Sequence, residues 1–330
     1  MKIEEISDIY EVLKGNTTKK RLVVAYANDS HSIEAVSLAV KAGLVEGILV
    51  GDSEVIKQVC AENDYDPTCF KIVHEPNDVK AAETAVAMIR NGEADVLMKG
   101  LVSTDKYMRA ILNKEKGIVS EKVLSHVTVM ECPAYHKLLV VSDVAIIPCP
   151  DLDQKKAIIK YVTKTAVKLG VEKPKIALIT PTEQVLPKVQ STVEAAILAK
   201  MNERGQIPGA IIEGPMALDV AIDKEAADIK KIYSPVAGDA DCLVFPNLES
   251  GNVFYKTNTK LGSAKLGAML MGAKVPCVLS SRGDRLCQPV HPDMWNIMPG
   301  KGCRFARAAL FMQSRIPGRN QKPWSCQRSS

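Results

Sequence analysis

A serine and an arginine side by side at the end of an apolar run are equipped to handle phosphate. Val275-Pro-Cys-Val-Leu279 reads as a buried strand, and Ser281, Arg282 and Asp284 follow it. A guanidinium stays charged at any working pH and grips phosphoryl oxygens with two parallel hydrogen bonds. A neighbouring hydroxyl can donate to a developing oxyanion, and a carboxylate just beyond can take a proton. Similar loops recur upstream. Asp95-Val-Leu-Met98 runs into Lys99-Gly100-Leu-Val-Ser103-Thr104, ahead of an amphipathic stretch with Tyr107, Met108 and Ile111. A lysine, a turn glycine and hydroxyls at a strand-to-helix turn bind anions through backbone N–H groups, although the order of residues is not that of a nucleotide phosphate loop. Ser250-Gly251-Asn252, followed by Tyr255-Lys256, repeats the idea: small residues at a helix start and a lysine about one turn later.

Other polar residues fall near strand ends. His126 and His136 stand ten residues apart, suited to acid–base work or equally to loop hydrogen bonding, and Ser142-Asp143 follows the run Leu138–Val141. Of these, His126 and Asp143 are expected to face a cleft. Glu213-Gly214-Pro215 closes the run Ala210–Ile212, and Asp219 follows, a ligand-loop residue or a helix cap.

Such loops need strands to present them. Arg21–Tyr26, Glu46–Val50, Phe70–Val73, Asp95–Met98, Val127–Met130, Leu138–Val141, Lys175–Ile179, Ala210–Ile212, Cys242–Phe245 and Val275–Leu279 are short apolar, β-rich runs. Amphipathic stretches separate many of them. Ser30 or Ser32 can cap a helix to Lys41; Asp52-Ser53 opens one to Ala61; another runs from Val79 to Arg90; Asp151 or Asp153 caps a long one to Leu169. Val185, Val189, Val193, Ile197 and Met201 recur every four residues, the spacing of one helical face. This alternation predicts an α/β fold with a largely parallel sheet, whose ligands sit at the carboxyl ends of the strands. A chain of 330 residues exceeds what one core usually sustains, and a boundary is expected near Pro148-Cys-Pro150.

Composition narrows the classes. Hydrophobic residues make up 46% and mean hydropathy is near zero, as in soluble proteins. No secretory signal or membrane span is visible, so a cytoplasmic protein is expected. Nine cysteines without a C-x-x-C pair read as reduced thiols rather than a zinc site. The net charge of +5 belongs to the tail: eight basic residues and one acid lie in 285–330, leaving 35 basic and 37 acidic residues before it. In that tail arginine replaces lysine as the usual base and five prolines break helices. So abrupt a change of usage suggests a shifted reading frame after Asp284, with reduced stability and activity as its expected consequence. A basic tail binding nucleic acid is the non-enzymatic alternative.

The order and wording of these loops resemble the phosphate acetyltransferase/phosphate butyryltransferase family, and the butyryltransferase branch more closely. The resemblance covers roughly residues 20–284. It implies two α/β/α domains of the isocitrate/isopropylmalate dehydrogenase type, 1–147 with 281–330 and 148–280. It implies exchange of a short acyl group between coenzyme A and inorganic phosphate, with acyl-CoA as a substrate and no tightly bound cofactor or metal. Matched residue by residue, Ser281 and Arg282 correspond to the family's catalytic pair and Asp284 to its downstream acid. Lys99, Gly100, Ser103, Thr104, His126, Asp143, Gly214, Pro215, Asp219, Ser250, Gly251, Asn252 and Lys256 are the expected phosphate- and coenzyme A-binding set. Glu213 stands where the family usually has Asp, and the match fails after Asp284. A homo-oligomer, a dimer or larger, is expected, with no membrane or nucleic-acid partner. The enzymatic alternative on the same fold is an NAD- and metal-dependent decarboxylating dehydrogenase, for which the chain lacks an obvious Asp cluster.

Overall fold

The computed structural model describes residues 3–14 and 19–279. Eleven strands form one sheet: β1 (Lys20–Ala25), β2 (Val45–Gly51), β3 (Phe70–His74), β4 (Val96–Lys99), β5 (Ser125–Glu131), β6 (Leu139–Ser142), β7 (Lys175–Ile179), β8 (Ile211–Met216), β9 (Cys242–Val244), β10 (Lys265–Met271) and β11 (Cys277–Val278). The helices are α1 (Ile6–Lys14), α2 (Ser30–Lys41), α3 (Ser53–Glu62), α4 (Asp78–Arg90), α5 (Thr104–Leu112), α6 (Leu152–Lys168), α7 (Gln190–Glu203), α8 (Leu218–Ile222), α9 (Lys224–Ile229) and α10 (Leu248–Lys260).

Local chemistry sets the helix starts. Asp29, Asp52 and Asn77 cap α2, α3 and α4 by accepting from backbone N–H groups of the first turn. Asp151 caps α6 in a reciprocal box: its Oδ1 accepts from the Gln154 N–H at 2.8 Å while Gln154 Oε1 accepts from the Asp151 N–H at 2.9 Å. Helix α7 corrects the periodicity argument. It begins at Gln190, so Val185 and Val189 precede it, and its buried residues are Thr192, Ala195, Leu198 and Ala199. Small side chains let a helix lie close to a sheet; of the predicted stripe, Val185 and Ile197 are exposed, Val189 and Val193 are half-buried, and Met201 packs against the core.

The strand order is β3-β2-β1-β4-β11-β10-β5-β6-β9-β7-β8. Pairing is parallel in both wings, from β3 to β11 and from β6 to β8. At the centre it is antiparallel: β10 pairs with β11 and β5, and β5 with β6. The sheet is therefore mixed, mostly parallel. Tyr107 fixes α5 over the join of β4 and β11; its fully buried hydroxyl lies 3.3 Å from the Leu97 carbonyl oxygen and 3.2 Å from that of Val278.

The two faces of this sheet differ. On one, a continuous core joins Leu22 and Val24 of β1 to Val127 and Val129 of β5 and on to Ile158, Val162 and Leu198. On the other, apolar packing separates into two clusters. One lies under α4 and α5 and ends at Leu270; the other gathers under α8, α9 and α10 and includes Met130 and Leu266. Strand alternation places His126 and Thr128 of β5 on this divided face, opposite in parity to Val127 and Val129.

Candidate active site

A cleft of about 470 Å³ opens where the divided face changes from one cluster to the other. Its walls come from strand ends and helix starts. Lys99 ends β4, and Ser103 and Thr104 begin α5 on one side; Asn252, Tyr255 and Lys256 of α10 stand opposite; His126 of β5 and the Val144-Ala145 turn complete it, and Leu279 also lines it. No Asp or Glu is among the described residues lining the cleft, whereas two lysines are. Low-dielectric walls with one sign of charge concentrate anions.

Each wall has a reason in the chain. Lys99 is 3% exposed, and its Nζ donates to the Gly100 carbonyl at 3.1 Å. Only glycine fits next: a Cβ on Gly100 would lie 2.3 Å from the Tyr26 carbonyl oxygen and 2.8 Å from that of Ala25. That contact carries hydrogen bonds from Gly100 N–H to Ala25 and from Leu101 N–H to Tyr26, tying the turn to β1. Ser103 is the cap of α5, its side chain accepting from the Lys106 N–H at 3.3 Å. The first-turn N–H groups of a helix and its dipole favour an anion here.

Asp143 serves the cleft from behind. It is 2% exposed. Oδ2 accepts from Ser125 Oγ at 2.9 Å and His126 N–H at 3.1 Å, and Oδ1 accepts from the Ala145 and Ile146 N–H groups at 2.7 and 2.8 Å. The carboxylate thus ties β5 to the turn bearing Val144 and Ala145. Helix α10 packs onto that turn through Gly251, where a Cβ would stand 2.2 Å from the Asp143 carbonyl oxygen. Asn252 Nδ2 donates to the Val144 carbonyl at 3.0 Å. Asn247 caps α10, accepting from the Ser250 N–H at 3.0 Å, and the Ser250 hydroxyl stays within the cap, 2.8 Å from Asn247 Oδ1. The Tyr255 ring stands edge-on to His126 with centroids 6.5 Å apart, and Lys256 Nζ lies 5.4 Å from that ring's centroid.

The structure thus brings Lys99, Ser103, Thr104, His126, Asn252 and Lys256 to one cleft, with Gly100, Asp143, Ser250 and Gly251 shaping it. Gly214 and Pro215 lie in β8 at the sheet's edge, four strands from β5, roughly 19 Å at the usual strand spacing. Asp219 pairs with Lys230 at 2.9 Å, and that hydrogen bond holds its carboxyl below the ordinary value. Tyr255, named in the Ser250–Lys256 motif without a role, is a cleft residue, and the Val144-Ala145 turn is one for which the sequence offered no signal. Ser281, Arg282 and Asp284, and the tail 285–330, lie outside the described residues. No described helix is long and apolar enough to cross a membrane.

Comparison with known proteins finds relatives along most of the chain. The family model described as phosphate acetyl/butaryl transferase matches residues 68–290. The chain is 43% identical over 282 residues to a phosphate butyryltransferase of Clostridium acetobutylicum, spanning 86% of this chain and 93% of that one. It is 42% identical over 262 residues to a phosphate acetyltransferase of Rhizobium meliloti, spanning 79% and 83%. Among solved structures, a branched-chain phosphotransacylase from Enterococcus faecalis superposes with a TM-score of 0.74 at 29% identity, covering 89% of this chain and 98% of the other.

Proposed function

We propose that this chain, which belongs to the phosphate acetyl/butaryl transferase family, exchanges a short acyl group between coenzyme A and inorganic phosphate. The reaction is acyl-CoA + phosphate ⇌ acyl phosphate + CoA. The observation that carries it is a cleft walled by Lys99, Lys256, two hydroxyls and a helix start, with no carboxylate among its described lining.

A phosphate oxygen attacks the thioester carbonyl carbon, the resulting tetrahedral oxyanion collapses, and the C–S bond breaks with the thiolate leaving. Three peptide links join Leu279 of the cleft wall to Arg282, about 11 Å of chain at most, so Arg282 has the reach to pair with the phosphate. Ser281 donates to the oxyanion or the sulfur. In reverse, a thiol of pKa about 8.5 must lose its proton before it attacks, and Asp284 is the base. Lys99, Lys256 and the start of α5 hold phosphate charge, and Gly214, Pro215 and Asp219, apart from the cleft at the edge of the sheet, meet the distal part of coenzyme A. The apolar wall of Val144, Ala145 and Leu279 suits a butyryl-sized or branched acyl chain.

We divide the chain as 1–147 with 281–330 and 148–280; the separation of two clusters on the cleft face favours two units, while Met130 and Val144 pack in the second cluster, Leu270 and Cys277 in the first, and one sheet runs through both. Free cysteines such as Cys60 and Cys242 fit a reducing, cytoplasmic compartment. Tyr233 and Leu261, 81% and 83% exposed, supply apolar surface for a homo-oligomer.

The test is phosphate-dependent thiol release from acetyl-, propionyl-, butyryl- and branched acyl-CoA. Turnover should be highest with four- or five-carbon chains, and Arg282→Ala should lower it by orders of magnitude with the fold intact. No thiol release from any acyl-CoA would reject the reading, and equal turnover of Arg282→Ala and the parent would reject the role of Arg282.

A further inference from the structure

On the α6 side of the sheet lies a second cavity of about 120 Å³. It is bounded by α6, by the end of β10 from Met269 to Met271, and by the turn from Gly272 to Pro276 that follows. Helix α6 contributes Tyr161, Thr165 and Lys168, which recur at the spacing of one face, with Lys164 beside them.

Three features set this cavity apart. Thr165 is fully buried, lines the cavity, and its Oγ1 has no hydrogen-bond partner among the described residues. A buried hydroxyl left without a partner costs free energy that a ligand acceptor can recover. The second is Lys168: no described carboxylate pairs with its amine. Burial, aided by the like charge of Lys164, brings that amine down to about 8. The third is size, which admits a short acyl group but not coenzyme A.

The other titratable groups around the cavity do not neutralise Lys168. Glu121 pairs with Lys160 at 3.4 Å; the Tyr161 hydroxyl donates to the Val123 carbonyl at 2.7 Å; Lys164 and Lys274 add positive charge. The cavity therefore combines a nucleophilic amine, neighbouring cations and an unused hydroxyl.

We propose that Lys168 is an acyl-acceptor site for short acyl phosphates, the product class of the transfer read above. Lys164 holds the phosphoryl group and the Thr165 hydroxyl donates to the carbonyl oxygen. The neutral Nζ attacks the carbonyl carbon. A C–N bond forms, the bond from that carbon to the bridging phosphoryl oxygen breaks, phosphate leaves with the electron pair, and the amine proton passes to phosphate or solvent. The product is an uncharged amide against β10, whose Leu270 pairs in register with His126 of the cleft. The inference rests on the transferase reading only for the origin of the acyl phosphate, so the test supplies that reagent directly.

Full-length protein is incubated with acetyl phosphate across pH 6.5–9.5, digested with a glutamate-specific protease, and acetylation of each lysine is followed by mass spectrometry. At pH 7.5 an amine of pKa near 8 holds roughly two hundred times more free base than an ordinary lysine. Allowing for its weaker intrinsic nucleophilicity, Lys168 should acylate at least tenfold faster than exposed Lys160. Its rate should level off above about pH 8. Thr165→Val, close in shape, should remove most of the preference. A rate at Lys168 no higher than at Lys160 overturns the proposal, and an unchanged preference in Thr165→Val overturns the role of the hydroxyl. Selective acylation in a chain that releases no thiol from any acyl-CoA would sink the transferase reading and leave this site standing.

Discussion

Replacing Gly251 with Ala adds one methyl group at the hinge between α10 and the Asp143 turn. The new Cβ would start 2.2 Å from the Asp143 carbonyl oxygen and 3.2 Å from Phe245 Cδ2, whereas ordinary contact begins at 3.4 Å. The neighbour at 2.2 Å is backbone, so no rotamer relieves it; helix and turn must separate by about 1 Å. Overpacking of this kind costs about 1–3 kcal/mol. The same displacement carries Asn252, Tyr255 and Lys256 away from the opposite wall, and a misplacement of about 1 Å can cost roughly a hundredfold in rate. Gly251→Ala should therefore lose about 1–3 kcal/mol in urea unfolding and lower thiol-release turnover by one to two orders of magnitude. Ser250→Ala, which adds no atoms and loses only the hydroxyl's bonds within the cap, should lose far less activity. A Gly251→Ala protein with parental stability and turnover would refute the idea that α10 is held against the turn through this glycine.

Asp143→Asn keeps the shape but places an amide NH2 against donors, whichever way it is turned, because both carboxylate oxygens accept hydrogen bonds. With the group buried, a loss of about 2–3 kcal/mol is expected by chemical denaturation, together with weaker phosphate saturation as Val144 and Ala145 shift. The Arg21–Asp95 pair sets an acid limit on the first wing of the sheet. Burial alone would raise the Asp95 carboxyl, but hydrogen bonds from the Arg21 side chain and backbone outweigh it and hold it below its ordinary value. Its contribution is therefore fully present above about pH 4 and is lost as pH falls through the lowered folded value. The stability gap between the parent and Asp95→Asn, read by urea midpoints, should narrow below pH 4 and stay constant from pH 5 to 7.

Much of this arrangement could be read in advance wherever one residue's chemistry decides. The run Lys175–Ile179 is strand β7 to the residue, since both its flanks change composition sharply. The cap at Asp151 fixes α6. Lys99-Gly100 and Asn252 reach the cleft because turn and helix-start chemistry is local. What escaped is set by neighbours far away in sequence. Strand β10 contains Gly267 and two methionines and is buried across its centre, so it shows no alternation, only apolarity. Val185 to Met201 obeys a four-residue spacing, yet close helix–sheet packing selected alanine and leucine at other positions. The direction of the Asp143 carboxylate depends on where Ser125 and His126 lie, which no local pattern encodes.

The sheet's strand order also has a temporal meaning. Strands β4 and β5 are consecutive along the chain, yet β11 and β10 lie between them. During synthesis both wings can emerge and pack while the strands that join them are still untranslated. At roughly 5–20 residues per second, the facing edges of β4 and β5 remain unpaired for roughly ten seconds or more. Exposed strand edges of this kind recruit other chains. Among the described strands, the seam at the centre of the sheet is thus the last to close, and its facing edges are most exposed to other chains before residues 265–278 leave the ribosome.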